Sequence, residues 1–269
     1  MNSEEPNRVE NVCEILSLTK VQSVVYDLLL QSPPSIKHRI RSSLQGIMKA
    51  WGLKELDENM ACFRIITALE EAESAIIHSL RRRGYANSDK LNPNNHIHKS
   101  SIFYIFAAFT ELLPILNGLI EASFTIELDE ETDKKTPKIR FKFTNQQGGG
   151  YFYPIPPLNL QIQKVDGENK ELHNLENEII KLASKKGHEN FLKYLKEESN
   201  IRNQILYASD TGIPHVSMDV GKFIVAKSRY IFILHMVCLL IDFYREKQLL
   251  VQQLLDVLIT NIQSTNCNR

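Results

Sequence analysis

Arg202-Asn203-Gln-Ile-Leu-Tyr207 places a cation, an amide and a phenol close together, within a stretch running from Ile201 to Asp210. An arginine can stabilise the charge that builds on a phosphate in its transition state, and an asparagine can orient that phosphate. A histidine five residues after the arginine would add general acid–base catalysis. Tyr207 stands there instead, and an ordinary phenol, with a pKa of about 10, is a poor base at neutral pH. The structural alternative pairs Arg202 with Glu197 or Glu198 and uses Tyr207 to fill a core gap.

Two further clusters carry chemistry. Ala68-Leu-Glu70-Glu71-Ala72-Glu73 sits in a helical pattern whose positions 66, 69, 73, 76 and 80 share one apolar face. Glu73 falls on that stripe, Glu70 borders it, and Glu71 points to solvent. A carboxylate facing a core needs a cation, a metal or a hydrogen-bond network. The other cluster is His96-Ile-His98-Lys99. Two histidines at i and i+2 can ligate a metal or present two imidazoles on one edge, but no further ligand at fixed spacing accompanies them. Docking of His96 and Lys99 against Glu70 or Glu73 by charge pairing is the preferred reading over a metal. No metal site and no cofactor are expected.

The elements that must position these residues are mostly helices. Val21 to Gln31 and Ser35 to Trp51 read as helices, followed by a long one capped by Asp57 and ended at Gly84. A polar loop spans Asn87 to Asn95, and a helix from about Lys99 to Ile120 carries a kink at Pro114. Then the period changes to two. Phe124 to Leu128, Lys138 to Thr144 and Tyr151 to Ile155 read as strands of a small antiparallel insertion at about 122–165. Lys138, Arg140 and Lys142 give it a basic edge, which protects against strand-to-strand aggregation. Helices return over Asn174 to Lys185, His188 to Glu198 and Asn200 to Ala208. A long one spans Asp219 to Leu258, with a possible break near Lys247. The expected architecture is one mostly α domain over residues 1–269, a helical bundle with a β-hairpin or meander insertion.

Composition narrows the class. The 269 residues hold 32 basic and 32 acidic side chains, a formal net charge of +0. That balance argues against a strongly basic nucleic-acid binder while leaving room for a local patch. Cys13, Cys62, Cys238 and Cys267 form no C-x-x-C pair and read as reduced thiols. The polar start carries no secretory signature. The run Ile102 to Ala122 holds Glu111 and Glu121, and Tyr230 to Ile241 is too short to span a bilayer. A cytoplasmic protein without a membrane segment is expected.

The order of these motifs resembles a known group, the HEPN-fold proteins, and within it the AbiV-type abortive-infection family. The resemblance rests on Ala68-Leu-Glu70-Glu71-Ala72, then His96-Ile-His98-Lys99, then Arg202 to Tyr207 followed by Asp210 and Gly212. It covers roughly residues 60–110 and 195–245 in short pieces and leaves the β insertion out. It implies a helical bundle, a homodimer and a role in phage defence. It also implies a metal-independent ribonuclease site in which Arg202, Asn203, Tyr207, Glu73, His96 and His98 take catalytic parts and Glu70, Lys99 and Asp210 assist binding. The family's motif histidine is Tyr207 here. The alternatives are a non-catalytic HEPN-like protein that binds a phage or toxin–antitoxin partner and, further off, a metal-dependent hydrolase using Glu70, Glu73, His96 and His98.

Overall fold

Several helices begin where a side chain can satisfy the free backbone groups of the first turn. A computed structural model describes residues 19–110, 120–129, 134–143, 150–166, 169–185, 187, 191–207 and 218–263. Helix α1 (Lys20–Leu29) opens with a capping box, in which Thr19 Oγ1 accepts from the Gln22 amide at 3.3 Å and Gln22 Oε1 accepts from the Thr19 amide at 2.8 Å. Helix α2 (Pro34–Leu53) starts on a proline, whose missing N–H costs nothing at that position. Asp57 Oδ1 accepts from the Met60 amide at 2.9 Å and starts α3 (Glu58–Arg82). That helix stops where Gly84 takes a left-handed φ of 68° and the Tyr85 amide reaches back to the Leu80 carbonyl.

Helix α4 spans His96–Thr110. It begins three residues earlier than its apolar run suggests, because Asn95 Oδ1 accepts from the amides of Ile97 and His98. It does not reach Ile120, which opens strand β1 (Ile120–Asp129). The expected kink at Pro114 lies outside the described residues. Strand β1 pairs antiparallel with β2 (Lys134–Phe143), Phe124 opposite Ile139, and β2 pairs with β3 (Tyr151–Phe152), Phe141 opposite Phe152. A second hairpin follows, β4 (Gln163–Asp166) with β5 (Asn169–Leu172). The strand region therefore extends beyond residue 165. The sequence of this second hairpin is largely polar, so no alternation marks it.

Helices α5 (Glu176–Lys185) and α6 (Phe191–Leu206) follow. The two segments expected around Glu198 to Asn200 are one continuous α6, since neither glycine nor proline interrupts them. Helices α7 (Val220–Phe243) and α8 (Leu249–Gln263) are separated near Lys247, as the pattern predicts.

The chain divides into two compact units, one drawn from Met1–His78 and Glu198–Leu239, the other from Ser79–Glu197 and Leu240–Arg269. In the first, α2 and α3 approach closely. Ser43 Oγ donates to the Ala68 carbonyl at 2.7 Å, and a Cβ on Gly46 would lie 2.6 Å from the Ala68 Cβ. Tyr26, Ile36, Ile40, Ile65, Ile76 and Ile231 belong to its core. In the second, α4 packs against α5 and α8. There Gln248 ties three segments: its amide donates to Tyr85 Oη, its Oε1 accepts from the Leu158 amide, and its Nε2 donates to the Leu240 carbonyl.

Helix α7 has 24 residues and an 18-residue window of mean hydropathy 1.8, so by length and composition alone it could cross a membrane. It extends well beyond the twelve-residue run Tyr230–Ile241, which holds eleven apolar positions and His235. Its His235 and Asp242 are buried inside the protein.

Candidate functional site

Helix α3 is buried around most of its circumference from Ala68 to Leu80, with Glu71 and His78 as the partly exposed positions. Glu70 and Glu73 are therefore both inside, at 7% and 2% exposure. Burial removes most of the water that would solvate a carboxylate, so each needs protein partners. Helix α6 supplies one. Arg202 Nη1 lies 3.7 Å from Glu70 Oε2, with both side chains largely covered. Glu70 is a partner that the pairing expected from sequence, with Glu197 or Glu198 on Arg202's own helix, does not include. Across from the next turn of α3, Arg39 of α2 donates from Nε to Ser74 Oγ at 2.9 Å and from Nη1 to the Ser35 carbonyl at 2.7 Å. Arg39 carried no motif, and only the three-dimensional placement of α2 brings it beside the Glu73–Ser74 turn.

The rest of the motif faces outward. Asn203 is exposed, and its Nδ2 donates to Asn200 Oδ1 at 3.1 Å on the same helix. Tyr207 is 66% exposed and fills no core gap. Its amide donates to the Asn203 carbonyl and so closes the last turn of α6. Asp210 and Gly212 lie outside the described residues.

His96, His98 and Lys99 belong to the second unit and are described there. His98 Nδ1 accepts from the Asn92 amide at 2.9 Å, which leaves the proton of a neutral ring on Nε2. Burial lowers the pKa of His98 from its ordinary value. Its imidazole thus closes the Asn92–Asn95 turn at the start of α4. Arg81 fixes the preceding stretch, donating to the carbonyls of Ser88, Asp89 and Leu91 at 3.4, 3.1 and 2.6 Å. Lys99 is 7% exposed. Among the described residues, no group of three or more His, Cys, Asp and Glu side chains converges where a metal ion could be held.

The arrangement offers a definite chemistry. A guanidinium carries five donors in a planar fork, a geometry that matches carboxylates and phosphates alike. Glu70 helps hold the Arg202 fork in place. Glu70, Glu73 and Arg202 are brought into one unit; Asn203 and Tyr207 border them on the same helix; His96, His98 and Lys99 are in the other unit. No protein-family model, no curated protein and no solved structure matches the chain.

Proposed function

We propose that this protein is an abortive-infection effector and a metal-independent HEPN-like endoribonuclease, cytoplasmic and active as a homodimer. The observation that supports the reading best is the ion pair between Arg202 and Glu70, at 3.7 Å. The resemblance drew the R-N-x-x-x-Y segment and the Ala68-Leu-Glu70-Glu71 helix into one site from separate parts of the sequence, and these two side chains meet in space. In the reaction, the 2′-hydroxyl of RNA attacks the adjacent phosphate and the 5′-oxygen leaves, a route that DNA lacks. Arg202 stabilises the charge on the phosphate, Asn203 orients it, and Tyr207 holds the motif position of the family's histidine, while water takes the proton of the 2′-hydroxyl and supplies one to the departing 5′-oxygen.

A second reading, a non-catalytic HEPN-like protein that binds a phage or toxin–antitoxin partner, draws on the exposure of Tyr207 and on the Asn203 amide being engaged by Asn200. An exposed aromatic ring beside polar side chains suits partner recognition as well as chemistry.

RNA from cells expressing the wild type and Arg202→Ala, with growth followed in parallel, distinguishes the two. RNA fragments that vanish in the Arg202→Ala cells support the nuclease. Growth arrest with intact RNA, equal for both proteins, assigns the effect to partner binding and sinks the catalytic proposal.

A further inference from the structure

A groove of about 530 Å³ opens in the first unit between α1, α2 and α7. This lies within the range of roughly 300–1,000 Å³ typical of small-ligand sites. Its depth can be read from burial. Tyr26, Ile47 and Ile224 form the inner wall at 2, 5 and 1% exposure, whereas Trp51, Val225 and Ile233 stand at the lip at 46, 41 and 46%. Behind Tyr26, His235 Nδ1 lies 3.1 Å from the phenol oxygen, so the inner wall is fixed by a buried contact.

The polar groups along this groove are few. Among the described residues, Arg229 is the one charged side chain in its lining, and it is exposed. Ser228 Oγ already donates to the Ile224 carbonyl at 2.8 Å, and Gln22 Oε1 already accepts from the Thr19 amide. A ligand rich in hydroxyls or ring nitrogens would leave them unpaired against these walls, which is costly. An apolar body with a single negative head leaves nothing unpaired. Its chain covers the aliphatic and aromatic lining, and its carboxylate meets the Arg229 fork in a bidentate, charge-assisted contact at the water-exposed end.

We infer that this groove binds a free, unbranched long-chain carboxylate, with its tail against Tyr26 and Ile47 and its head at Arg229. The inference is independent of the proposed nuclease site.

Trp51 is the only tryptophan of the chain and lines the groove, so its emission reports occupancy without a label. The full-length protein is titrated with dodecanoate below its micelle concentration, with calorimetry in parallel to register binding that leaves the emission unchanged. We expect saturable one-to-one binding that weakens roughly two- to fourfold for each methylene removed in shorter homologues. Dodecanol should bind at least tenfold more weakly than dodecanoate. Arg229→Gln, a substitution at an exposed position, should remove that discrimination without shifting the melting temperature. Ile233→Glu, which sets a carboxylate at the lip, should weaken dodecanoate more than dodecanol. Absence of saturable binding overturns the inference, as does equal affinity for acid and alcohol in the wild type, or an acid preference that survives in Arg229→Gln. A dimer by sedimentation whose Trp51 emission dodecanoate does not alter and whose calorimetry is flat also overturns it, and gives the groove to a second copy.

Discussion

Arg202 Nη1 stands 3.7 Å from Glu70 Oε2, and the carboxylate is the more deeply covered partner. The pair is therefore asymmetric. Losing Glu70's charge leaves a guanidinium that can still reach water, while losing Arg202 leaves a buried carboxylate short of one partner. Arg202→Ala should cost about 1–3 kcal/mol, and Glu70→Gln less. Urea unfolding of the two single variants and the double variant gives the coupling, expected at roughly 0.5–1.5 kcal/mol for a half-screened pair. A coupling of zero would show that proximity here carries no energy.

Gly46 sets the spacing of α2 and α3. A Cβ there would lie 2.6 Å from the Ala68 Cβ, and that atom belongs to a short, unyielding side chain. Gly46→Ala should destabilise the protein by about 1–3 kcal/mol despite the better helix propensity of alanine. Adding Ala68→Gly should recover part of the loss, measured as the midpoint of thermal unfolding. This gives Ala68, the first residue of the motif on α3, a packing role independent of chemistry.

His235 is fully buried, and burial pushes its pKa down to about 3 from an ordinary 6.5. The folded protein keeps the ring neutral where the unfolded chain would protonate it. The stability this neutral ring permits is fully present above pH 6.5 and is lost as the pH falls toward 3, at on the order of 1 kcal/mol per pH unit. Melting temperatures recorded between pH 7 and pH 4 should fall more steeply for the wild type than for His235→Gln. Parallel curves would refute this account of the ring.

Gln253 of α8 holds the second hairpin at its base. Its Oε1 accepts from the Ile162 amide at 3.0 Å, and its Nε2 donates to the carbonyls of Ile162 and His173 at 2.7 and 2.9 Å. Gln253→Leu should leave the half-buried Ile162 amide and His173 carbonyl without this partner, while the Ile162 carbonyl keeps the His173 amide, at about 1–3 kcal/mol. Limited proteolysis should then cut Gln163–Leu172 earlier than in the wild type while α1 to α3 stay protected.

Much of the helical scaffold was legible in local sequence, because its signals are local. Thr19, Asp57 and Gly84 mark helix ends by short-range hydrogen bonds, and the burial of Glu73 follows from its place on an apolar stripe. The second hairpin was not legible from alternation, since its strands are largely polar and its anchor, Gln253, lies far along the chain, although Asp166-Gly167 is a turn dipeptide. The contact of Arg202 with Glu70 was not legible for the same reason: the two lie far apart in sequence, and the local argument looked to neighbouring glutamates on the same helix. His98 has the residue type of a catalyst, yet its Nδ1 is spent on the Asn92 amide, and spacing alone could not reveal that.

The first unit is assembled from Met1–His78 and Glu198–Leu239. Its first stretch must therefore wait, as the chain leaves the ribosome, until more than a hundred intervening residues have been made. During that interval the apolar face of α3 lacks the α6 and α7 segments of its own unit, and the nascent chain is exposed to the wrong partners. Slowing synthesis ahead of residue 198 prolongs the vulnerable stage, and a chain cut short there leaves Glu70 without Arg202.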